Sequence, residues 1–181
     1  ILKDSSMSTM RLIQDGKWSA ELMTVKIDET AHDYKYLMML DYYWEKHPVL
    51  NPGDSMGMHW GHYGQPVAQS ARGMNAINYA SSGNWITYDH SLDLSSNYGI
   101  VSTVDTYPNG EIYGPQMGFL EEEVWISKDY EGHNLALSAK YVHPWLPNAL
   151  SLSVDYSGIS LSGDLSLGDQ WSWRHNFIPT P

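Results

Sequence analysis

Two histidines, His59 and His62, stand three residues apart in "MGMHWGHYG" (residues 56–64), a glycine-rich segment that also contains Trp60. Imidazole is a common metal ligand, and two histidines at this spacing outside a helix can converge on one ion, with Asp54 or His47 as a further ligand. A metal site needs three or four ligands, however, and eight histidines in 181 residues make close pairs frequent by chance. We therefore favour no metal here and interpret the segment as a strand end anchored by the tryptophan.

Three consecutive glutamates lie in "FLEEEVW" (residues 119–125). In a strand, Glu122 shares one face with Leu120 and Val124, whereas Glu121 and Glu123 share the other face with the aromatic residues. A carboxylate pair on an aromatic face is typical of glycoside hydrolases, so Glu121 and Glu123 are the catalytic candidates if the protein is an enzyme. Such neighbours point the same way, about 7 Å apart, whereas an acid and a nucleophile must face each other. We favour a solvated face on an edge strand, where charge prevents pairing with another chain.

The aromatic residues are biased towards rings with a polar group. The chain has 13 Tyr and 8 Trp but only 2 Phe. Trp60, Tyr63 and Trp145 each adjoin a glycine or a proline, as expected at strand ends and in loops. Exposed rings of this kind stack on sugars, so these three are the ligand-binding candidates. The alternative is that most of the rings close the ends of a core and use their N–H or O–H groups on the backbone.

Other catalytic motifs are missing from the sequence. It has no Cys, which excludes disulfides, thiolate zinc sites and cysteine nucleophiles. It also has no G-x-S-x-G elbow, no P-loop, no G-x-G-x-x-G and no EF-hand spacing. We therefore expect no cofactor and favour a protein that is not an enzyme.

The elements that must position these residues are mostly strands. "LSLSVDYS" (150–157) alternates apolar and polar residues, which predicts a half-buried antiparallel strand. After Gly158 the apolar residues move to odd positions, which indicates a turn or a bulge. Further strands are predicted at 18–28, 35–46, 54–60, 84–90, 98–107, 117–127 and 134–143.

Helix signals are weak, and only residues 66–80 could form one short helix, which Gly73 disfavours. Short strands separated by Gly, Pro, Asn and Asp predict an all-β, antiparallel β-sandwich or jelly roll with eight or nine strands and at most one short helix. No linker divides the chain, so we expect one domain over residues 1–181.

Charge and composition restrict the partners and the location. The net charge is −11, which disfavours nucleic acid, and no run of about 20 apolar residues predicts a membrane span. Only 17% of residues are charged, and the sequence has neither Cys nor an Asn-x-Ser/Thr sequon. We therefore expect a secreted or cell-surface protein from a bacterium or an archaeon, and a removed signal peptide would account for a start at Ile1.

Three functions fit these residues. We favour a non-enzymatic β-sandwich that acts at a cell surface or in an extracellular matrix, either by binding a glycan or a protein or by self-assembly. Self-assembly would use residues 1–10, added as a strand to the open sheet edge of a neighbouring copy. The alternatives are a carbohydrate-active hydrolase that uses a carboxylate pair and a metal-binding protein that uses His59 and His62.

Overall fold

A computed structural model of the chain describes residues 11–15, 18–45, 53–79, 81–104, 113–146 and 149–181. These residues form fourteen strands: β1 (Arg11–Asp15), β2 (Trp18–Glu29), β3 (Asp33–Trp44), β4 (Asp54–His59), β5 (Gly64–Pro66), β6 (Arg72–Tyr79), β7 (Trp85–Asp89), β8 (Ser91–Asp93), β9 (Gly99–Val104), β10 (Tyr113–Ser127), β11 (Leu135–Pro144), β12 (Leu150–Asp155), β13 (Gly158–Gly163) and β14 (Gly168–Phe177).

The strands form two antiparallel sheets and a separate hairpin. Sheet A has the order β1-β2-β3-β10-β6-β7, with β5 also paired to β10, and sheet B has the order β14-β11-β4-β9-β8. Strands β12 and β13 form the hairpin. The predicted all-β sandwich is therefore confirmed. The strand count exceeds the expected eight or nine partly because β5 and β8, of three residues each, are too short to give a sequence pattern.

The core lies between the two sheets and is rich in aromatic rings. Along β3 every second residue is buried from Tyr34 to Trp44, which is the period of a strand with one face on a core. From sheet B, Met56, Met58 and Tyr141 pack into the same cluster. Because tyrosine and tryptophan carry polar groups, this core also contains hydrogen bonds, such as that from Trp44 Nε1 to the Tyr141 hydroxyl at 3.1 Å.

Strand β10 carries the three glutamates and lies in the interior of sheet A. Its two faces are as predicted: Leu120, Glu122 and Val124 are buried, while Glu121 and Glu123 lie on the outer face of the sheet. The expected edge position is wrong, because β10 pairs with β3 along one side and with β5 and β6 along the other. The glutamates therefore do not protect an open edge.

The described part of the 66–80 segment, residues 66–79, does not form the short helix that the sequence allowed. Strand β6 occupies Arg72–Tyr79, and the described residues contain only 3₁₀ turns and no α-helix. Pairing with β10 buries Asn75 and Ile77 on the inner face of sheet A. Burial of alternate residues is therefore the pattern of a strand here, and the pairing of β6 with β10 outweighs the weak helix propensity of the segment. No helix among the described residues is long and apolar enough to cross a membrane.

The β12–β13 hairpin covers part of the outer face of sheet B. Asp155 pairs with Gly158, so the hairpin turns at Tyr156 and Ser157, and the predicted strand and turn are confirmed. The sheet beneath it carries glycines: a Cβ atom at Gly99 would lie 2.6 Å from Val154 Cγ1. Because glycine has no side chain, the hairpin can lie close to the backbone of the sheet.

Candidate ligand-binding groove

A groove of ≈ 940 Å³ separates the hairpin from the neighbouring outer face of sheet B. We call it the hairpin groove. Its lining comes from residues within 59–63, 130–140, 156–159 and 172–174. The "HWGHY" part of the glycine-rich segment therefore contributes to one wall, beside three stretches that are distant in sequence.

Aromatic rings line one end of the groove. Tyr156, at the hairpin turn, is 64% exposed. Its ring centroid lies 5.8 Å from that of His62 and 5.5 Å from that of Tyr98, which contacts it edge-on. The ring of Tyr130 lies 6.1 Å from that of Tyr63. Because these rings hold one another in place, they offer flat apolar surface at a small entropic cost of ordering.

Tyr63 also ties the groove wall to sheet B. Its hydroxyl donates to the carbonyl oxygen of Ala136 and accepts from the Ala136 amide at 3.1 Å. Burial raises the pKa of the Tyr63 phenol above its usual value, so the hydroxyl stays neutral. The predicted ligand-binding residue Tyr63 therefore lies in the groove and is rigidly held.

The charges of the groove are opposite in sign to that of the whole chain. Lys140 and Arg174 line it together with the histidines His59, His62 and His133. No Asp or Glu is among the described residues that line it, although the chain carries a net charge of −11. Serine hydroxyls and the Asn134 amide add hydrogen-bonding groups. The groove therefore combines ring stacking with cationic and neutral polar contacts.

The two candidate metal ligands both lie on this groove. Burial lowers the pKa of His59, against the opposing effect of the nearby Asp155 carboxylate, so this imidazole is neutral at pH 7. His62 is exposed and contacts Tyr156 and Tyr63 through its ring. Among the described residues, no group of three or more His, Asp or Glu side chains is placed to hold a metal ion.

The two candidate tryptophans lie away from the open groove. Trp60 is 1% exposed, and its Nε1 donates to the carbonyl oxygen of Asn97 at 3.0 Å. Trp145 follows the far end of β11, is 41% exposed and donates to Asp169 Oδ2 at 3.3 Å. Tyr63 is thus the only one of the three predicted ligand-binding residues that lines the hairpin groove.

The two candidate catalytic glutamates lie on the outer face of sheet A. Lys35 contacts Glu123, with Nζ 3.3 Å from Oε2. Glu121 lies diagonally across the sheet from Asp41, which pairs directly with Glu21. Burial and the charges of Glu21 and Glu121 raise the pKa of Asp41 to about 6. Glu121 and Glu123 point the same way from one strand and so do not flank a cleft.

A buried polar network joins the ends of β4 and β11. Asp54, with no exposed surface, lies with Oδ1 2.6 Å from His143 Nδ1 and accepts a hydrogen bond from the Tyr141 hydroxyl at Oδ2. The sequence placed Asp54 near His59, but its partners lie almost 90 positions away, and no local spacing indicates this pairing.

Comparisons with known proteins show likeness in structure only. No protein-family model matches the sequence, and no curated protein matches it. One similar solved structure is ACE19, the collagen binding subdomain of the Enterococcus faecalis surface protein ACE (9% identity, 84% of this chain and 100% of that chain, TM-score 0.46). Another is the T6 backbone pilin of serotype M6 Streptococcus pyogenes (9% identity, 90% of this chain and 35% of that chain, TM-score 0.44). A third is AvmM, which catalyses macrocyclization in alchivemycin A biosynthesis (10% identity, 96% of this chain and 98% of that chain, TM-score 0.31).

The three solved structures have different functions, and none has a TM-score of 0.5 or more. Fold likeness at this level does not define an activity, because one scaffold carries many functions. The function must therefore be argued from the site itself.

Proposed function

We propose that this chain is a non-enzymatic binding domain of a secreted or cell-surface protein, and that its hairpin groove binds a glycan with acidic groups. The single observation that carries the proposal is the composition of the groove: aromatic rings beside Lys140 and Arg174, with no carboxylate among the described lining residues, in a chain of net charge −11. The low content of charged residues supports a location outside the cell.

The groove suits an extended, polar and negatively charged polymer. The exposed ring of Tyr156 can stack on the apolar face of a sugar, while the ammonium of Lys140 and the guanidinium of Arg174 can bind carboxylate or sulfate groups. Serine hydroxyls and the Asn134 amide can bind sugar hydroxyls. A neutral glycan would use the rings and the hydroxyls but gain nothing from the two cations.

Calorimetric titration of the protein with oligogalacturonate and with maltohexaose, at low salt, tests this proposal. We expect binding of oligogalacturonate and much weaker binding of maltohexaose. Lys140→Ala and Tyr156→Ala should each weaken oligogalacturonate binding about tenfold, the loss expected for one charged or stacking contact. Lys35→Ala, on the outer face of sheet A, is the matched control and should leave binding unchanged.

Three results would contradict the proposal. Equal affinity for the two oligosaccharides would remove the role of charge. Full affinity in both groove variants would place binding elsewhere. Cleavage of either oligosaccharide by the pure protein would make it a hydrolase, and Glu121 and Glu123 would then be the first residues to change.

Self-assembly is a second candidate, favoured by the place of β1. Strand β1 forms one edge of sheet A through its pairing with β2, and residues 1–10, outside the described residues, lead directly into it. An edge strand presents unpaired backbone groups, to which a strand of another copy can add. Light scattering after size exclusion should then find oligomers that disappear when residues 1–10 are deleted; a monomer in both forms would exclude this route.

A further inference from the structure

A second, smaller cavity lies between the two sheets near Glu122. It encloses ≈ 260 Å³ and is lined by Trp60, the segment 66–71, and residues of the 94–99 connection. Glu122 projects into it from the inner face of β10 and is only 3% exposed. We call it the Glu122 cavity. Its described lining shares no residue with that of the hairpin groove, so a role for this cavity is independent of the proposed function.

The hydrogen bonds around Ser70 hold the Glu122 carboxyl group in place. Ser70 Oγ lies 2.9 Å from the Val67 carbonyl oxygen and 2.8 Å from Glu122 Oε1, and it accepts the Glu123 amide at 3.0 Å. A serine hydroxyl has one hydrogen and two lone pairs. Ser70 therefore accepts the Glu123 amide and offers its one hydrogen to Glu122 Oε1 and to the Val67 carbonyl oxygen.

Burial favours the protonated form of Glu122. Burial raises the pKa of Glu122 to about 7, with a smaller contribution from the like charge of Glu123, while the Ser70 hydrogen bond opposes the rise. No Lys, Arg or His is among the described residues that line the cavity. Charged and titratable side chains on the surrounding elements lie outside this lining, among them Lys35, His59, Arg72, His90, Asp93, Glu121 and Glu123. A buried carboxylate here would lack a positive partner, so the proton supplies the compensation.

The backbone that presents Ser70 to Glu122 is strained. Gln69 has φ of 65°, the only positive φ among the described residues other than glycine. A left-handed residue with a side chain costs about 1 kcal/mol or more, and such residues cluster at binding and catalytic sites. The turn is retained by two backbone hydrogen bonds, from Val67 N to Glu123 O and from Ser70 N to Val67 O.

We propose that the Glu122 cavity binds a small primary alkylammonium ion, with the ammonium group on Glu122 and the alkyl chain against Trp60, Val67 and Ala71. The ammonium would take the place of the proton as the positive partner. Binding is then an exchange: Glu122 loses its proton to solvent, and its carboxylate pairs with the ammonium. Only the O–H bond of the acid is broken, and no bond between heavier atoms changes.

The test uses n-butylammonium chloride, with n-butanol as the neutral analogue of the same length. Amide chemical shifts of the folded protein are followed by NMR during each titration. We expect n-butylammonium, and not n-butanol, to move the amides of segments 67–71 and 96–99 in a saturable way. Because binding releases a proton from a group that titrates near neutrality, affinity should rise about tenfold from pH 6 to pH 8.

Glu122→Gln keeps the shape and polarity of the side chain but cannot become a carboxylate. It should weaken n-butylammonium binding at pH 8 at least tenfold, whereas Glu21→Gln on the outer face of sheet A should leave it unchanged. Equal shifts with n-butanol, affinity that is independent of pH, or shifts outside the two segments would each overturn the proposal. These three readouts use the unmodified protein, so they remain decisive if Glu122→Gln does not fold.

Discussion

At the scale of single residues, the acidic side chains of this protein differ mainly in their surroundings. Asp54 is fully buried, accepts a hydrogen bond from the Tyr141 hydroxyl and contacts the His143 imidazole. Asp41 and Glu122 instead lie in surroundings that favour the neutral acid. Residue type alone therefore does not reveal the charge, because burial and neighbours determine it.

Asp41 should make the stability of the protein depend on pH. Its folded pKa, about 6, exceeds the usual unfolded value near 3.9, so the folded state binds the proton more tightly. The stabilisation that this proton gives is complete below pH 4 and is lost as the pH rises through 6. Asp41→Asn should therefore raise the free energy of unfolding by roughly 1–2 kcal/mol at pH 8 and leave it almost unchanged at pH 4. Urea unfolding at the two pH values measures the free energy of unfolding. Equal gains in stability at pH 4 and pH 8 would contradict a raised pKa of Asp41. Asp28→Asn, at an exposed position, is the control.

Asp54 should be among the most sensitive positions for stability. Asp54→Ala removes the carboxylate that both the Tyr141 hydroxyl and the His143 imidazole contact, and should lower the free energy of unfolding by about 3–5 kcal/mol. Tyr141→Phe removes one hydrogen bond and should cost about 1–3 kcal/mol. Exposed Asp89→Ala is the matched control and should change stability by less than about 0.5 kcal/mol. A loss in Asp54→Ala as small as that in the control would show that the network contributes no stability.

At the scale of elements, the close approach of the hairpin to sheet B depends on glycine. A Cβ atom at Gly99 would lie 2.2 Å from the Met58 carbonyl oxygen and 2.6 Å from Val154 Cγ1, whereas one at Gly57 would meet nothing closer than 3.4 Å. Gly99→Ala must therefore displace backbone, and we expect a loss of about 2 kcal/mol in the free energy of unfolding. Gly57→Ala is the matched control on the neighbouring strand and should be neutral.

The same pair of variants tests whether the hairpin forms a wall of the binding site. If the hairpin moves outward in Gly99→Ala, oligogalacturonate affinity should fall together with stability, while Gly57→Ala keeps both. Calorimetric titration and urea unfolding of the two proteins give the answer. Unchanged affinity in a destabilised Gly99→Ala would mean that the ligand does not contact the hairpin.

Elements with a regular local pattern were predictable from the sequence, and sites assembled from distant elements were not. The period-two alternation of 150–155 predicted β12, and the two faces of β10 were predicted in the same way. Strand β6 was not predicted, because its Gly, Ala and Asn residues have no strong preference, and pairing with β10 decides its conformation. Of the groove, only Tyr63 and the two histidines were singled out from the sequence, because Tyr130, Lys140 and Tyr156 approach them only after folding.

At the scale of the whole molecule, charge is distributed unevenly, and salt should therefore have two opposite effects. The chain carries 21 acidic and 10 basic side chains, yet the described lining of the hairpin groove contains Lys140 and Arg174 and no acid. Raising NaCl from about 20 to 300 mM shortens the screening length from about 20 Å to about 6 Å. Repulsion among the excess carboxylates weakens, so the melting temperature should rise by a few degrees.

Attraction between the groove and an anionic glycan also weakens at high salt, so oligogalacturonate affinity should fall. The fall should be less steep in Lys140→Ala. Scanning calorimetry and titrations at the two salt concentrations measure both effects. An affinity that does not depend on salt would mean that the ligand is recognised without its charge, and a lower melting temperature at high salt would mean that local ion pairs outweigh the net repulsion.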